Sequence, residues 1–529
     1  MSEKILARAV ATTAIAFLMT VGAVGSVHHA QAQGEPTRGG TVQLAVTPEP
    51  PGLMLGLMQN GPTQMIAGNI YESLLRYDTD LTPQPSLAES WEISDDELTY
   101  TFKLRENVKW HDGEDFTADD VMFSLDVFLR EVHPRWRPTV NAQVASIEKT
   151  GDYEIQITLN EPFEPLLLSF EVGTTPMIPR HIYEGTDYRA NPMNATPIGT
   201  GPMKFVEWSR GSYVHLQRFE DYYLDNQPYI DEVYYRFIPD AASRAVAYET
   251  GTVDVLTGGS VEIFDVPRLA ALPNTCVTTD GWEIFSPHAW VALNVREGAL
   301  AEKSFRQGLM HAIDREFARD VVWSGYGTIA NSPISSRTRF HSEDLPEYAY
   351  DPDRARELIA ESGYDGETLE FLVLPYGETW TRWAEATRQN LEDVGVSVNL
   401  VTTDVAGWSE RVGNFNFQMT HNFLYQYGDP ALGVSRSYVS TNIVEGNPFS
   451  NVMGYANEEV DRLFAEAANA PAEERPALYQ EVQEILVDEL PVLWMVEMDF
   501  PTVYRCDLQD FITTAIGVND AFRDAWLQQ

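Results

Sequence analysis

The end of this chain constrains its fold more than any other stretch. Val460, Leu463, Phe464 and Ala467 recur at helical spacing, Leu478, Val482, Ile485 and Leu486 do so again, and Pro491 stops the second helix. Phe500–Tyr504 then reads as a strand. A lone strand after two helices needs a sheet to join, and the strand-rich half of the chain lies far upstream. The chain is therefore expected to cross back to its first half. Two lobes joined by more than one crossing form a hinge with a cleft between them.

The texture upstream agrees. Thr41–Val46 reads as a strand running into the Pro-rich loop Thr47–Gly52. In Glu97–Leu104, Leu98, Tyr100, Phe102 and Leu104 alternate with polar residues, and Tyr153, Ile155, Ile157 and Leu159 repeat the pattern. Between them a helix is expected to start at Thr117 as N-cap, with Asp120 at its third position and Phe116 packing on Val121. Gly199–Ile238 is again strand-rich. From Ala299 onward helices such as Glu302–Trp323 and Asp351–Ser362 alternate with strands such as Leu369–Leu374 and Val396–Val401, an α/β signature. At 529 residues the chain exceeds a single ordinary core.

The first 32 residues have a different character. Lys4 and Arg8 precede the apolar run Ala9–Val27, and Ala30-Gln31-Ala32 offers a small-x-small cleavage site, so a cleavable signal peptide over residues 1–32 is expected. A membrane anchor is the competing reading; the run is diluted by small residues and no basic stop-transfer cluster follows. The only cysteines are Cys276 and Cys506, so no cysteine near the cleavage site carries a lipid, and a free periplasmic protein is expected. Export permits a Cys276–Cys506 disulfide, but two cysteines so far apart leave bridge and buried thiols both open.

With 36 basic and 79 acidic residues the net charge is −43, which opposes binding to nucleic acid or anionic lipid. The acids are spread along the whole chain, a pattern that fits adaptation to salty surroundings better than steering of a cationic ligand.

Motifs for chemistry are missing. There is no G-x-S-x-G, Walker loop or H-E-x-x-H, and Gly199-Thr-Gly201 lacks the third glycine of a dinucleotide fingerprint because Lys204 takes its place. No metal or cofactor is expected. Asp78, Asp80, Thr82 and Glu89 match four positions of a calcium loop, yet Pro83 stands where that loop turns on glycine, so a surface turn is the better reading.

Six blocks carry a resemblance. Asn69–Asp126, Ile198–Trp208, Pro228–Val255, Trp290–Glu316, Tyr350–Tyr364 and Ala456–Ala467 together resemble, in order, the extracytoplasmic solute-binding proteins of peptide/nickel/opine ABC importers, bacterial solute-binding protein family 5. The resemblance implies an α/β, two-lobed clamshell with an extra subdomain inserted in the N-terminal lobe. Lobe I would comprise 33–68, 185–280 and 498–529, the insertion 69–184, and lobe II 281–497. It also implies a monomer that captures a small organic solute and delivers it to an ABC permease in the inner membrane. A hydrolase on a related scaffold and a chemosensory binding protein are the alternatives. His111 and Asp112, distinctive as they look, are scaffold in this reading.

The resemblance further places the segment "HNFLYQYGDPAL", residues 421–432, at the cleft. Oligopeptide-binding relatives carry an Asp there that receives the peptide ammonium; here Gln426 holds that position, before the turn Tyr427-Gly428-Asp429-Pro430. An amide offers an acceptor and two donors but no charge, which suits a hydroxyl, amide or carboxylate better than an ammonium. Glu49 or Asp429 is the acid that would substitute. Phe423, Tyr425, Trp290, Tyr326 and Trp408 are the expected aromatic walls.

Overall fold

Three sheets organise the chain in a computed structural model that describes residues 34–528; the expected signal peptide lies outside the described residues. The first sheet has seven strands, in the order Thr275–Thr278, Thr502–Arg505, Val255–Leu256, Thr41–Val46, Glu232–Phe237, Tyr213–Arg218 and Met203–Ser209. The second has six, ordered Thr328–Ile329, Val492–Glu497, His288–Leu293, Met419–Leu424, Leu369–Leu372 and Val398–Val401. A four-stranded antiparallel sheet, Ala88–Ile93, Thr99–Leu104, Glu154–Leu159 and Val144–Gly151, belongs to the inserted subdomain.

Burial follows sequence pattern. Tyr100, Phe102, Ile155 and Ile157 are buried, and Phe102 meets Phe170 edge-on at 4.9 Å. The strand begins at Thr99, two residues later than the alternation suggests, because Glu97 adopts a left-handed turn conformation with φ 58°. His288–Leu293 and Val492–Glu497 are buried at every position, as strands covered on both faces are.

Thr117 caps its helix in a full capping box with Asp120, and Phe116 and Val121 are buried. The helix expected over Glu302–Trp323 is interrupted instead. Lys303–Ala312 ends where Ile313 turns extended, and Asp314 starts a new turn by accepting from the Phe317 N–H at 2.8 Å.

His111 is buried with both ring nitrogens engaged. Its Nδ1 accepts from Gly199 N at 3.3 Å and its Nε2 reaches Gly201 O at 2.9 Å. A Cβ on Gly199 would lie 1.9 Å from Ile70 O, so the glycine turn and the buried imidazole fit as one unit. Asp78 accepts from Asp80 N, Thr82 N and Gln84 Nε2, the surface turn rather than a calcium loop.

The C-terminal return is fixed in two ways. Cys276 and Cys506 form a disulfide beside the antiparallel pair Thr275–Thr278 and Thr502–Arg505. Buried Asn69 donates to Met65 O, Tyr235 Oη and Val518 O, and accepts from Ala521 N and Phe522 N. Bridging 230 residues constrains the unfolded chain by an amount on the order of 5 kcal/mol in the chain-entropy picture. The double variant C276S/C506S is expected to fold and to lose roughly 5 °C of apparent Tm in calorimetry; an unchanged Tm would show that the sheet alone holds the return.

Candidate functional site

Only residues 279–287 and 498–501 separate the strands of the seven-stranded sheet from those of the six-stranded one, and both segments carry aromatic side chains. Trp282 lies 5.0 Å from Phe500 and 5.7 Å from Phe285, ring centre to ring centre. From the six-stranded sheet, Met419–Leu424 runs out into Tyr425, and its Phe423 lies 6.1 Å from Phe500 while Tyr425 lies 5.2 Å from Phe285. Trp380 stacks on Phe423 at 5.6 Å, and Tyr376 meets Phe423 edge-on at 6.2 Å. The result is a connected aromatic surface at the hinge, made by both crossings and one lobe.

Two small cavities open on this surface. One, of about 90 Å³, is bounded by Trp282, Phe285 and Tyr425 with Gln59, Gln64 and Asp280. The other, of about 170 Å³, is bounded by Trp323, Tyr376, Trp380 and Phe500 with Glu262. A larger space of about 500 Å³ separates the inserted subdomain from residues 427–468. There Tyr427, with φ 53°, lies beneath the guanidinium groups of Arg135 at 4.6 Å and Arg436 at 5.5 Å.

Charged contacts join the two sides. Glu262 accepts from Thr379 Oγ1 at 2.8 Å, Glu378 N at 3.2 Å and Thr379 N at 3.3 Å, capping the helix Glu378–Asp393 from outside it. The positive end of the helix dipole favours a carboxylate there. Gly377, at φ 113°, leaves room: a Cβ would lie 2.9 Å from Glu262 Oε1. On the other flank Glu164 of the inserted subdomain pairs with Arg339 at 2.7 Å and Arg475 at 2.6 Å.

The structure brings Phe423, Tyr425 and Tyr427 to the cleft and takes several other expected site residues elsewhere. Gln426 is 3% exposed and its amide is committed: Oε1 accepts from Ser335 N at 2.9 Å, and Nε2 donates to Pro333 O at 3.0 Å and to His288 Nδ1 at 2.9 Å. Asp429, fully buried, pairs with Arg475 through both oxygens at 2.8 Å and caps Ala431 N. Glu49 accepts from Trp208 Nε1 and Gly211 N, both at 2.9 Å, and holds a loop of the first sheet. Trp408 is fully buried and donates to Thr420 Oγ1 at 3.0 Å. Trp290 is buried edge-on to His288, and Tyr326 is half-buried near Asp499, where burial raises its hydroxyl pKa. The Gln426 amide, the Asp429 and Glu49 carboxylates and the Trp408 indole have partners, and Trp290 fills a core, which the residue type alone does not reveal.

Phe500, Tyr376, Arg135, Arg436 and Glu262 join the site without having been expected. Phe500 had a signal in the sequence, as part of the returning strand. The arginines and Glu262 had none, since one charged residue among so many acids and bases carries no positional information.

Burial raises the Glu283 carboxyl to about 7, with Asp280 adding to the effect, while its own and the Gly281 N–H oppose it. Burial lowers His288 to about 4, so the ring is neutral near pH 7, and the amide donor of Gln426 makes Nδ1 its accepting nitrogen.

The fold defines a class, the two-lobed solute-binding proteins. Residues 82–444 match the family described as bacterial extracellular solute-binding proteins, family 5 Middle. Haem-binding protein A of Haemophilus influenzae is 29% identical over 82% of this chain and 82% of its own length. The oligopeptide-binding protein AppA of Bacillus subtilis is 27% identical over 85% and 86%. Among solved structures, the substrate-binding protein CtaP of Listeria monocytogenes superposes with a TM-score of 0.83 at 26% identity, covering 93% of this chain and all of that one. The chain belongs to family 5 of the bacterial extracellular solute-binding proteins, which bind solutes outside the cytoplasm and deliver them to ABC permeases.

Two outcomes are expected here. Gln426→Asp shortens the side chain and removes both donors, leaving Pro333 O facing a carboxylate; stability should fall by about 2–3 kcal/mol in urea unfolding, and an unchanged midpoint would contradict the committed amide. The depressed His288 pKa makes its contribution to stability present above about pH 6.5 and lost as pH falls towards 4. His288→Asn should therefore flatten the fall of Tm over that window; an identical slope would remove His288 as a contributor.

Proposed function

We propose that the aromatic surface at the hinge is where this protein holds its solute, and that the solute is a small organic molecule with a flat or apolar body. The observation that carries this reading is that Trp282, Phe285, Phe423, Tyr425 and Phe500 come from both crossings and one lobe and meet in one array. Such a surface changes shape when the lobes rotate, so stacking a solute on it couples binding to closure. The committed amide of Gln426 removes the anchoring carboxylate that a peptide ammonium would need at this position, and Glu49 and Asp429 are engaged elsewhere. The reading therefore favours a solute without a free α-ammonium as its main anchor.

Lobe boundaries at residues 281 and 497 follow from the same proposal, since the sheets change partner close to them. We further propose a monomer, exported to the periplasm by cleavage after the expected leader, that binds its solute stoichiometrically and releases it intact. Glu262 and Glu164 act as the closing contacts of the two flanks.

Purifying the exported protein from its native host, denaturing it and identifying the released molecule by mass spectrometry tests the solute class. One non-peptide solute recovered unaltered at one equivalent supports the proposal; a mixture of short peptides, or a chemically converted product, contradicts it. With that solute in calorimetry, Phe423→Ala and Tyr425→Ala should each bind about tenfold or more weakly. Unchanged affinity in both would move the site away from the array. Glu262→Gln keeps the shape and removes the charge; it should shift the ligand-free protein towards the open form in small-angle scattering, and an unaltered profile would deny it a closing role.

A further inference from the structure

Away from the cleft, where the inserted subdomain meets the C-terminal segment, lies a cavity of about 360 Å³ bounded by Arg76, Arg105, Arg523, Gln84, Thr513 and Thr514, together with Tyr77, Asp78, Pro85 and Asp524. Three buried polar atoms of residues that bound it, Arg523 Nε, Arg76 Nη2 and Thr514 Oγ1, have no hydrogen-bond partner. Thr514 is 2% and Arg523 9% exposed, so solvent satisfies neither freely. An unmet buried donor costs about 1–3 kcal/mol, more when charged, and three around one cavity form a repeated deficit on the donor side.

The acids at the cavity are already engaged. Asp524 receives Arg76 Nη1 at 2.8 Å, Thr513 Oγ1 at 2.9 Å and Gln227 Nε2 at 3.0 Å. Asp520 receives Arg76 Nε at 3.0 Å, and Asp78 uses both oxygens on its own turn and Gln84. Arg105 donates only to Ser86 O, at 2.7 Å, and lies over the Tyr223 ring. Arg523 makes no ion pair among the described residues, its nearest electrostatic partners being Glu72, Asp520 and the tyrosines 222 and 223. The one acceptor left open nearby, Glu72 Oε2, belongs to a residue that bounds a separate void of about 20 Å³. The residues around the cavity therefore carry N–H and O–H groups without acceptors, beside acids that are already engaged.

We propose that this cavity is a second ligand site, for a small oxyanion held by Arg105, Arg523, Arg76 and Thr514. Guanidinium forks match the paired oxygens of sulfate, phosphate or a carboxylate, and the threonine hydroxyl supplies a neutral donor. An occupied site ties residues 76–105 of the insertion to residues 513–524 of the return, two parts of the lobe that no strand pairing connects. Occupancy thereby stabilises the fold by mass action without touching the hinge.

Thermal unfolding of the full protein in sulfate, phosphate or acetate, each titrated against chloride at constant ionic strength, tests this. The wild type should show a saturable rise in Tm with at least one of these anions. Response to sulfate or phosphate alone assigns a free inorganic anion, and response to acetate alone assigns a carboxylate-bearing one; both support the site. Arg523 is too deeply packed to be a clean probe, so Thr514→Val, which keeps the shape, and Arg105→Gln replace it. Each should raise the half-saturating concentration about tenfold or more. A rise that does not saturate, or that is the same in the wild type and both variants, is a general salt effect and overturns the proposal.

Discussion

The double crossing between the two large sheets is the constraint on which the rest of this structure depends. Val492–Glu497 is a wholly buried strand of one sheet, and four residues later Thr502–Arg505 is a strand of the other. So short a link limits how far the two sheets can move apart. The disulfide and the five hydrogen bonds of Asn69 anchor the returning segment, leaving residues 498–501 and 279–287 as the links between the two sheets. On the proposed reading, Trp282, Phe285 and Phe500, which sit on those same segments, would sense the angle between the lobes.

Charge is distributed in a way the net figure hides. At −43 the chain repels itself, and its exposed acids favour an extended, well-hydrated surface. Between elements, however, carboxylates and guanidiniums are brought into register: Glu262 on a helix N-terminus, Glu164 on Arg339 and Arg475, Asp429 on Arg475, Arg76 on Asp520 and Asp524. Buried pairs of this kind fix geometry more than they add stability, because desolvation offsets much of their attraction. Their value here is to set which surfaces meet when the lobes close and how the insertion seats on its lobe.

Much of the fold was legible in the residue pattern. Alternation in Glu97–Leu104 and Tyr153–Leu159 gave two neighbouring strands, Thr117 and Asp120 gave a helix start, and a strand after two helices gave the return to the first lobe. These signals are local: period, capping chemistry and breakers act within a few residues. The site was legible only in part. The resemblance pointed to residues 421–432, and the structure puts Phe423 in the aromatic array while Tyr425 and Tyr427 bound cavities. What their neighbours Gln426 and Asp429 do could not be inferred, because a buried amide or carboxylate takes whichever partner the fold presents, and Ser335, Pro333, His288 and Arg475 come from distant segments.

The sequence by itself therefore determined the order of the main elements, a return of the chain to its first half, the caps and the absence of known catalytic motifs, since these follow from backbone preference and hydrophobic period. Tertiary structure alone decided the pairing of Cys276 with Cys506, the meeting of aromatic rings from three segments, the commitment of Gln426 to its own lobe and the gathering of Arg76, Arg105 and Arg523 round one cavity. Each of those depends on distances between residues tens to hundreds of positions apart. Contacts at that range are set by how whole lobes pack, and no local pattern encodes them.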